Sequence, residues 1–175
     1  MVSFIELQTM NRKLSVLSLA ITITALLSAC SSIDCKLNGT VLCHYAIQNA
    51  DGEDVTIDCP LSVTLNRKTV SSDTVYINQQ TGTSSFDLPM SYDGDVDEIT
   101  MTLHLDSTLT VSDVIQIAKT NEPYFESVDC AARYNHTIES VTHTNNFIKD
   151  IIITNPKVNN DATNTNILIR LTELF

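Results

Sequence analysis

The chain has no tryptophan, and aromatic residues make up 6% of its 175 positions. A large aromatic stacking platform is therefore not expected. Basic residues are also scarce. Ten Lys and Arg stand against 21 Asp and Glu, a formal charge of −11. Such a surface repels phosphate backbones and argues against nucleic-acid binding. There is no Cys-x-x-Cys, so a thioredoxin-like redox centre or a zinc knuckle lacks its usual spacing. No His-Glu-x-x-His or His-x-His spacing occurs among the four histidines, His44, His104, His136 and His143. Neither a Gly-x-Ser-x-Gly elbow nor a Ser/Lys nucleophile signature is present. Internal repeats are absent, and no 3.6-residue apolar period follows residue 29.

One long apolar run is present, Leu14 to Ala29, preceded by Asn11-Arg12-Lys13. A short basic region before an apolar core is the pattern of an export signal. It is too short for a span of ~20 apolar residues. The run ends in Leu27-Ser28-Ala29-Cys30, with small residues just before a cysteine. This arrangement resembles the bacterial lipobox, in which the cysteine becomes the first mature residue and takes a diacylglyceryl group. Residues 1–29 are accordingly read as a signal peptide and Cys30 as the lipidation site. Met10 makes a more conventional start than Met1, because Glu6 lies upstream of the basic pair. Cleavage removes Arg12, Lys13 and Glu6, leaving eight basic and 20 acidic residues, a net charge of −12. Ser31 follows Cys30, where an Asp would favour inner-membrane retention. The expected location is the outer membrane, facing the periplasm, with cell-surface display as the alternative.

Export makes disulfides plausible for Cys35, Cys43, Cys59 and Cys130. Asp51-Gly52 sits midway between Cys43 and Cys59 among alternating apolar residues, which signals a hairpin. A three-residue loop, Ala50 to Gly52, would pair Asn49 with Glu53 and place Cys43 opposite Cys59. That register predicts a Cys43–Cys59 bridge and leaves Cys35 with Cys130. The second bridge would close a loop of about a hundred residues, worth ~4–5 kcal/mol in the chain-entropy model. Only residues 31–34 separate the lipid from Cys35, a reach of at most ~14 Å.

The mature chain reads as strands. Val41, Cys43, Tyr45 and Ile47 alternate, as do Val55, Ile57, Cys59, Leu61, Val63 and Leu65. Period two means one buried and one wet face. Pro60 makes this second strand an edge strand or breaks it. Further strands are expected at Val75–Ile77, Phe86–Met90, Ile99–Leu105, Val114–Ala118, His136–Thr142, Phe147–Ile153 and Asn166–Leu171. Eight or nine short strands at this spacing predict an all-β antiparallel sandwich, Ig-like or a related Greek key, over residues 35–175. Too few 9–11-residue lipid-facing segments are present for a membrane barrel. The Asn-rich stretch from Thr154 to Thr165 reads as a long connection.

Candidates for chemistry are weak. Asp93, Asp95 and Asp97 alternate like the start of a calcium loop, but the glycine and glutamate of that pattern are replaced by Glu98 and His104. A solvated turn is the simpler reading, and no metal or other cofactor is expected. Tyr92, Tyr124, Phe125 and Tyr134 are the clustered aromatics that a ligand or glycan site would use.

The segments Cys-Ser-Ser-Ile-Asp-Cys (30–35), TGTSSFDLPMSY (81–92), KTNEPYFESVDC (119–130) and ITNPKVNNDAT (153–163) together resemble an uncharacterised family of small Bacteroidetes-type lipoproteins, a domain of unknown function. The resemblance covers most of the mature chain. It implies an envelope lipoprotein with a β-rich domain and supplies no activity, ligand or catalytic residue. It also favours pairing Cys35 with Cys130. The resulting expectation is a non-enzymatic β module, held to the membrane by Cys30 and contacting another envelope component. A ligand- or glycan-binding lipoprotein is the alternative, and an enzyme with a spatially assembled site is the third reading.

Overall fold

The computed structural model describes residues 41–66, 73–125, 127–128, 130–159 and 164–172. The signal peptide, Cys30 and Cys35 lie outside the described residues. Within these there are ten strands and no helix: β1 (Leu42–Gln48), β2 (Leu61–Asn66), β3 (Thr74–Gln80), β4 (Ser85–Pro89), β5 (Val96–His104), β6 (Thr110–Tyr124), β7 (Arg133–His143), β8 (Ile148–Ile153), β9 (Lys157–Val158) and β10 (Ile167–Leu171). They form a four-stranded sheet in the order β4-β1-β10-β8 and a six-stranded sheet in the order β3-β2-β5-β6-β7-β9.

Alternation decides which faces meet. β5 buries Ile99, Met101 and Leu103, and β2 buries Leu61, Val63 and Leu65. β1 buries Cys43, Tyr45 and Ile47, and β10 buries Ile167, Ile169 and Leu171. These side chains from both sheets form one apolar cluster, as a sandwich requires. Tyr45 stacks on Phe86, its cross-strand partner on β4, with ring centroids 4.9 Å apart.

Two expectations are corrected. The sheets are not wholly antiparallel, because β1 and β10 pair in parallel, Tyr45 against Ile167 and Ile47 against Ile169. Asn166 sets that pairing: its Oδ1 accepts from His44 N at 3.0 Å, and its own N–H donates to His44 O at 3.0 Å. Second, the hairpin after β1 forms its turn but does not zip up. Asn49 N donates to Glu53 O at 2.9 Å, and Gly52 adopts φ 87°, as the loop demands. Pairing reaches only the Gln48–Asp54 bridge and the Val55 N to Ile47 O bond. β1 already has β4 on one side and β10 on the other, so no edge remains for residues 55–59. Ile57 bridges Thr83 instead, and the chain crosses at Pro60 into the second sheet as β2.

The stretch from Thr154 to Thr165 is likewise more than a connection. Lys157 and Val158 form β9 against Thr137 and His136, and Val158 is buried. Asn166 Nδ2 donates to Asn155 O at 3.1 Å and Lys157 O at 3.0 Å, fastening this segment to the start of β10.

Candidate functional site

Strand β6 carries the most unusual chemistry. Its inward positions are Asp113, Ile115, Ile117 and Lys119, all buried. Two isoleucines are what a half-buried strand supplies by period two. The same period, continued one step each way, brings a carboxylate and an ammonium onto the apolar face. Buried charges persist only where bonded groups replace water.

At the Lys119 end, Nζ donates to Ser91 O at 2.6 Å, Gly94 O at 2.7 Å and Asn121 Oδ1 at 3.0 Å. Asp97 Oδ2 lies 3.8 Å away. Asp97 in turn accepts from Ser91 N at 3.1 Å and from the Ser91 hydroxyl. Asn121 Nδ2 donates to Gly94 O at 2.9 Å. His136 Nδ1 lies 2.7 Å from Asn121 Oδ1, so this nitrogen carries the proton and donates. Burial pushes the His136 pKa down to about 4, and the nearby Lys119 charge adds to this, so the imidazole is neutral. Burial also lowers the Lys119 pKa, against the opposing pull of Asp97, Asp95 and Asp93.

The turn at residues 91–97 does present carbonyl oxygens and a carboxylate inward, but it presents them to the ammonium of Lys119. Asp93 and Asp95 are exposed while Asp97 faces in, so the three carboxylates do not converge. Among the described residues no group of three or more His, Cys, Asp or Glu side chains is placed to hold a metal.

At the other end, Asp113 accepts four hydrogen bonds. Thr144 Oγ1 donates to Oδ1 at 2.6 Å and Asn146 N at 2.9 Å, while Phe147 N and Ile148 N donate to Oδ2 at 2.8 and 2.9 Å. Burial alone would raise this carboxyl's pKa, but the four bonds outweigh it and hold the pKa below its ordinary value. The chemical effect is to fix the β7–β8 connection onto β6.

The remaining histidines are tied locally. His44 Nδ1 is 2.6 Å from Asp87 Oδ1, its cross-strand partner. His104 Nε2 is 3.0 Å from Ser62 Oγ, and that hydroxyl accepts from Gln79 N at 3.1 Å. Ser62 thus sits between a ring nitrogen of His104 and the backbone N–H of Gln79. His143 Nδ1 is 2.7 Å from Thr144 O.

The expected Cys43–Cys59 bridge is not formed, and both are free thiols. The opened hairpin is the cause: Cys43 faces Leu88 on β4 in register, and Cys59 lies on the crossing segment. Burial raises the Cys43 thiol to about 12, which makes it inert. Cys130 is buried and is not among the free thiols, while Cys35 lies outside the described residues.

Of the four aromatics singled out above, Tyr92 and Tyr134 do meet, stacked with centroids 5.3 Å apart. Pro123 is the cross-strand partner of Tyr134, and Tyr124 is that of Arg133. Phe125 is exposed beyond the end of β6. The buried pair Asp113 and Lys119 was legible in part, since both share the parity of Ile115 and Ile117. Their partners, mostly backbone groups of distant turns, leave no residue-type signature.

No curated protein and no solved structure matches the chain. Residues 60–171, from Pro60 through β10, match the model of a family of unknown function, DUF6452. The matched span contains Asp113, Lys119 and Cys130, and it begins after Cys43 and Cys59; the chain belongs to that family.

Proposed function

We propose that the protein is a cell-envelope lipoprotein, a non-enzymatic β module anchored through a diacylglyceryl group on Cys30 and contacting another envelope component. The observation that carries this reading is the run from Leu14 to Ala29 ending in Leu27-Ser28-Ala29-Cys30. The internal chemistry supports it. The polar side chains that could do catalytic work, Asp113, Lys119, His136 and Asn166, are buried and bonded to the protein's own backbone and side chains. They hold turns in place.

In this reading the outer membrane is the location and the periplasm the side faced. Two or three acyl chains make attachment permanent, where one would be marginal at ~0.8 kcal/mol per buried CH₂. A Cys35–Cys130 bridge ties the β6–β7 loop to the tether. Mass spectrometry of the purified mature protein tests both parts. The N-terminal peptide should begin at Cys30 with acyl mass added, and non-reducing maps should join Cys35 to Cys130 while Cys43 and Cys59 remain alkylatable after unfolding. An unmodified Cys30 within a longer chain would end the proposal.

A further inference from the structure

Three exposed apolar side chains gather where β6 ends and β7 begins. Phe125 is 65% exposed, Val128 is 97% exposed, and Tyr92, stacked on Tyr134, is 67% exposed. Tyr134 lies opposite Pro123, and Lys119 binds the carbonyls of the turn that carries Tyr92, so these residues share one end of the six-stranded sheet. The described chain enters at this same end. Leu42 pairs with Pro89, Met90 N donates to Val41 O at 3.2 Å, and the following residues are Ser91 and Tyr92. Cys130, buried and not a free thiol, also lies here, two residues from Val128.

We propose that this end of the domain, led by Phe125, Val128 and Tyr92, lies in the interfacial layer of the bilayer that holds the lipid anchor. The proposal rests on Cys30 being lipidated. Two features of the chain choose a lipid surface as the occupant. Eleven residue steps separate Cys30 from Val41, so the entry end is the part of the domain joined most directly to the anchor, by a tether of at most ~40 Å. Aromatic side chains with one polar edge favour the headgroup boundary, and aliphatic ones favour the acyl chains beneath. The opposite end, with the loop between β5 and β6, lies a strand length away, about 30 Å along β5. Its exposed Leu109 makes a matched apolar control. Exposed carboxylates of Asp93, Asp95 and Glu122 flank the apolar group, so zwitterionic lipid is the appropriate probe.

The absence of tryptophan makes the test direct, because any introduced indole is a unique reporter. Full-length lipidated protein carrying Phe125→Trp, Val128→Trp or Leu109→Trp is reconstituted into phosphatidylcholine vesicles with dibrominated acyl chains. Emission from the Phe125→Trp and Val128→Trp proteins should be blue-shifted, shielded from acrylamide and quenched several-fold more by bromolipid than that of Leu109→Trp. Flotation with the vesicles and equal water access for all three reporters would overturn the inference and leave the anchor standing. Shielding from acrylamide without bromolipid quenching would also overturn it, since protein would then be the cover. An unlipidated Cys30 and no flotation would remove both the anchor and this inference.

Discussion

Strand β6 holds a buried anion near one end of its inward face and a buried cation near the other, and the two are satisfied by opposite halves of the peptide group. Asp113 takes three backbone N–H groups and a hydroxyl from one connection. Lys119 takes two backbone carbonyls and an amide oxygen, with a carboxylate further off. Each charge fastens an irregular segment to the rigid sheet: residues 144–148 for Asp113 and residues 91–97 for Lys119. Turns have unpaired backbone groups that a fold must satisfy or leave to water. Here a single side chain does so at each end. The difference between the ends is where the bonds come from. The carboxylate's four come from one continuous segment, whereas the ammonium's three come from β6 itself and a separate turn.

That contrast orders the expected effects of substitution. Asp113→Asn should be the most damaging change, at about 3–5 kcal/mol in urea unfolding, because its amide turns a donor towards N–H groups that need an acceptor. Near-neutral stability of that variant would show that the Asp113 cluster opens to water. Lys119→Met should cost less, about 2–3 kcal/mol, since Met fills the apolar stem volume while two carbonyls and Asp97 lose a partner. If Lys119→Met proved the costlier of the two, this ranking would be wrong. Thr144→Val removes one of the four bonds to Asp113 and should cost about 1 kcal/mol.

Acid should separate the two ends further. His136, beside the Lys119 cluster, has a folded pKa of about 4, against about 6.5 in an unfolded chain. Between those values the unfolded state binds the extra proton, so stability rises with pH across the window and is lost as pH falls from about 6.5 towards 4. Asp113 has a lowered folded pKa. Its contribution is therefore complete above about 3.9, the unfolded value, and is lost only below it. Unfolding midpoints measured from pH 7 to 4.5 should fall in the parent protein and fall less in His136→Asn, which keeps a donor towards Asn121. Equal slopes would mean that His136 titrates alike in the folded and unfolded chains. The smallest effect should be the coupling between the ends. Six residues of strand put Asp113 and Lys119 about 20 Å apart, so the Asp113→Asn/Lys119→Met cycle should be additive within about 0.5 kcal/mol.

Much of the sandwich was legible because burial on one face writes a period of two into each strand. β5 follows Ile99, Met101 and Leu103 without a slip, and β10 follows the Ile-rich run before Leu171. The turn at Asp51-Gly52 was legible for the same local reason, since a positive φ calls for glycine. The Cys43–Cys59 pairing was not, because extending a hairpin assumes that its first strand has a free edge. Competition for the edges of β1 is a property of the whole sheet, and β4 and β10 won both sides. β9 was hidden because two residues, Lys157 and Val158, are too few to show a period.

The sequence by itself determined most of the elements, their buried faces and the expectation of a lipid-bearing Cys30, since each rests on residues adjacent or alternating along the chain. The tertiary structure alone decided the parallel β1–β10 pair, the two free thiols and the partners of Asp113 and Lys119. Those outcomes depend on which backbone groups, distant in sequence, are left unpaired when the two sheets close. Backbone groups are the same at every residue, so the side-chain sequence carries no record of which ones a buried charge will find.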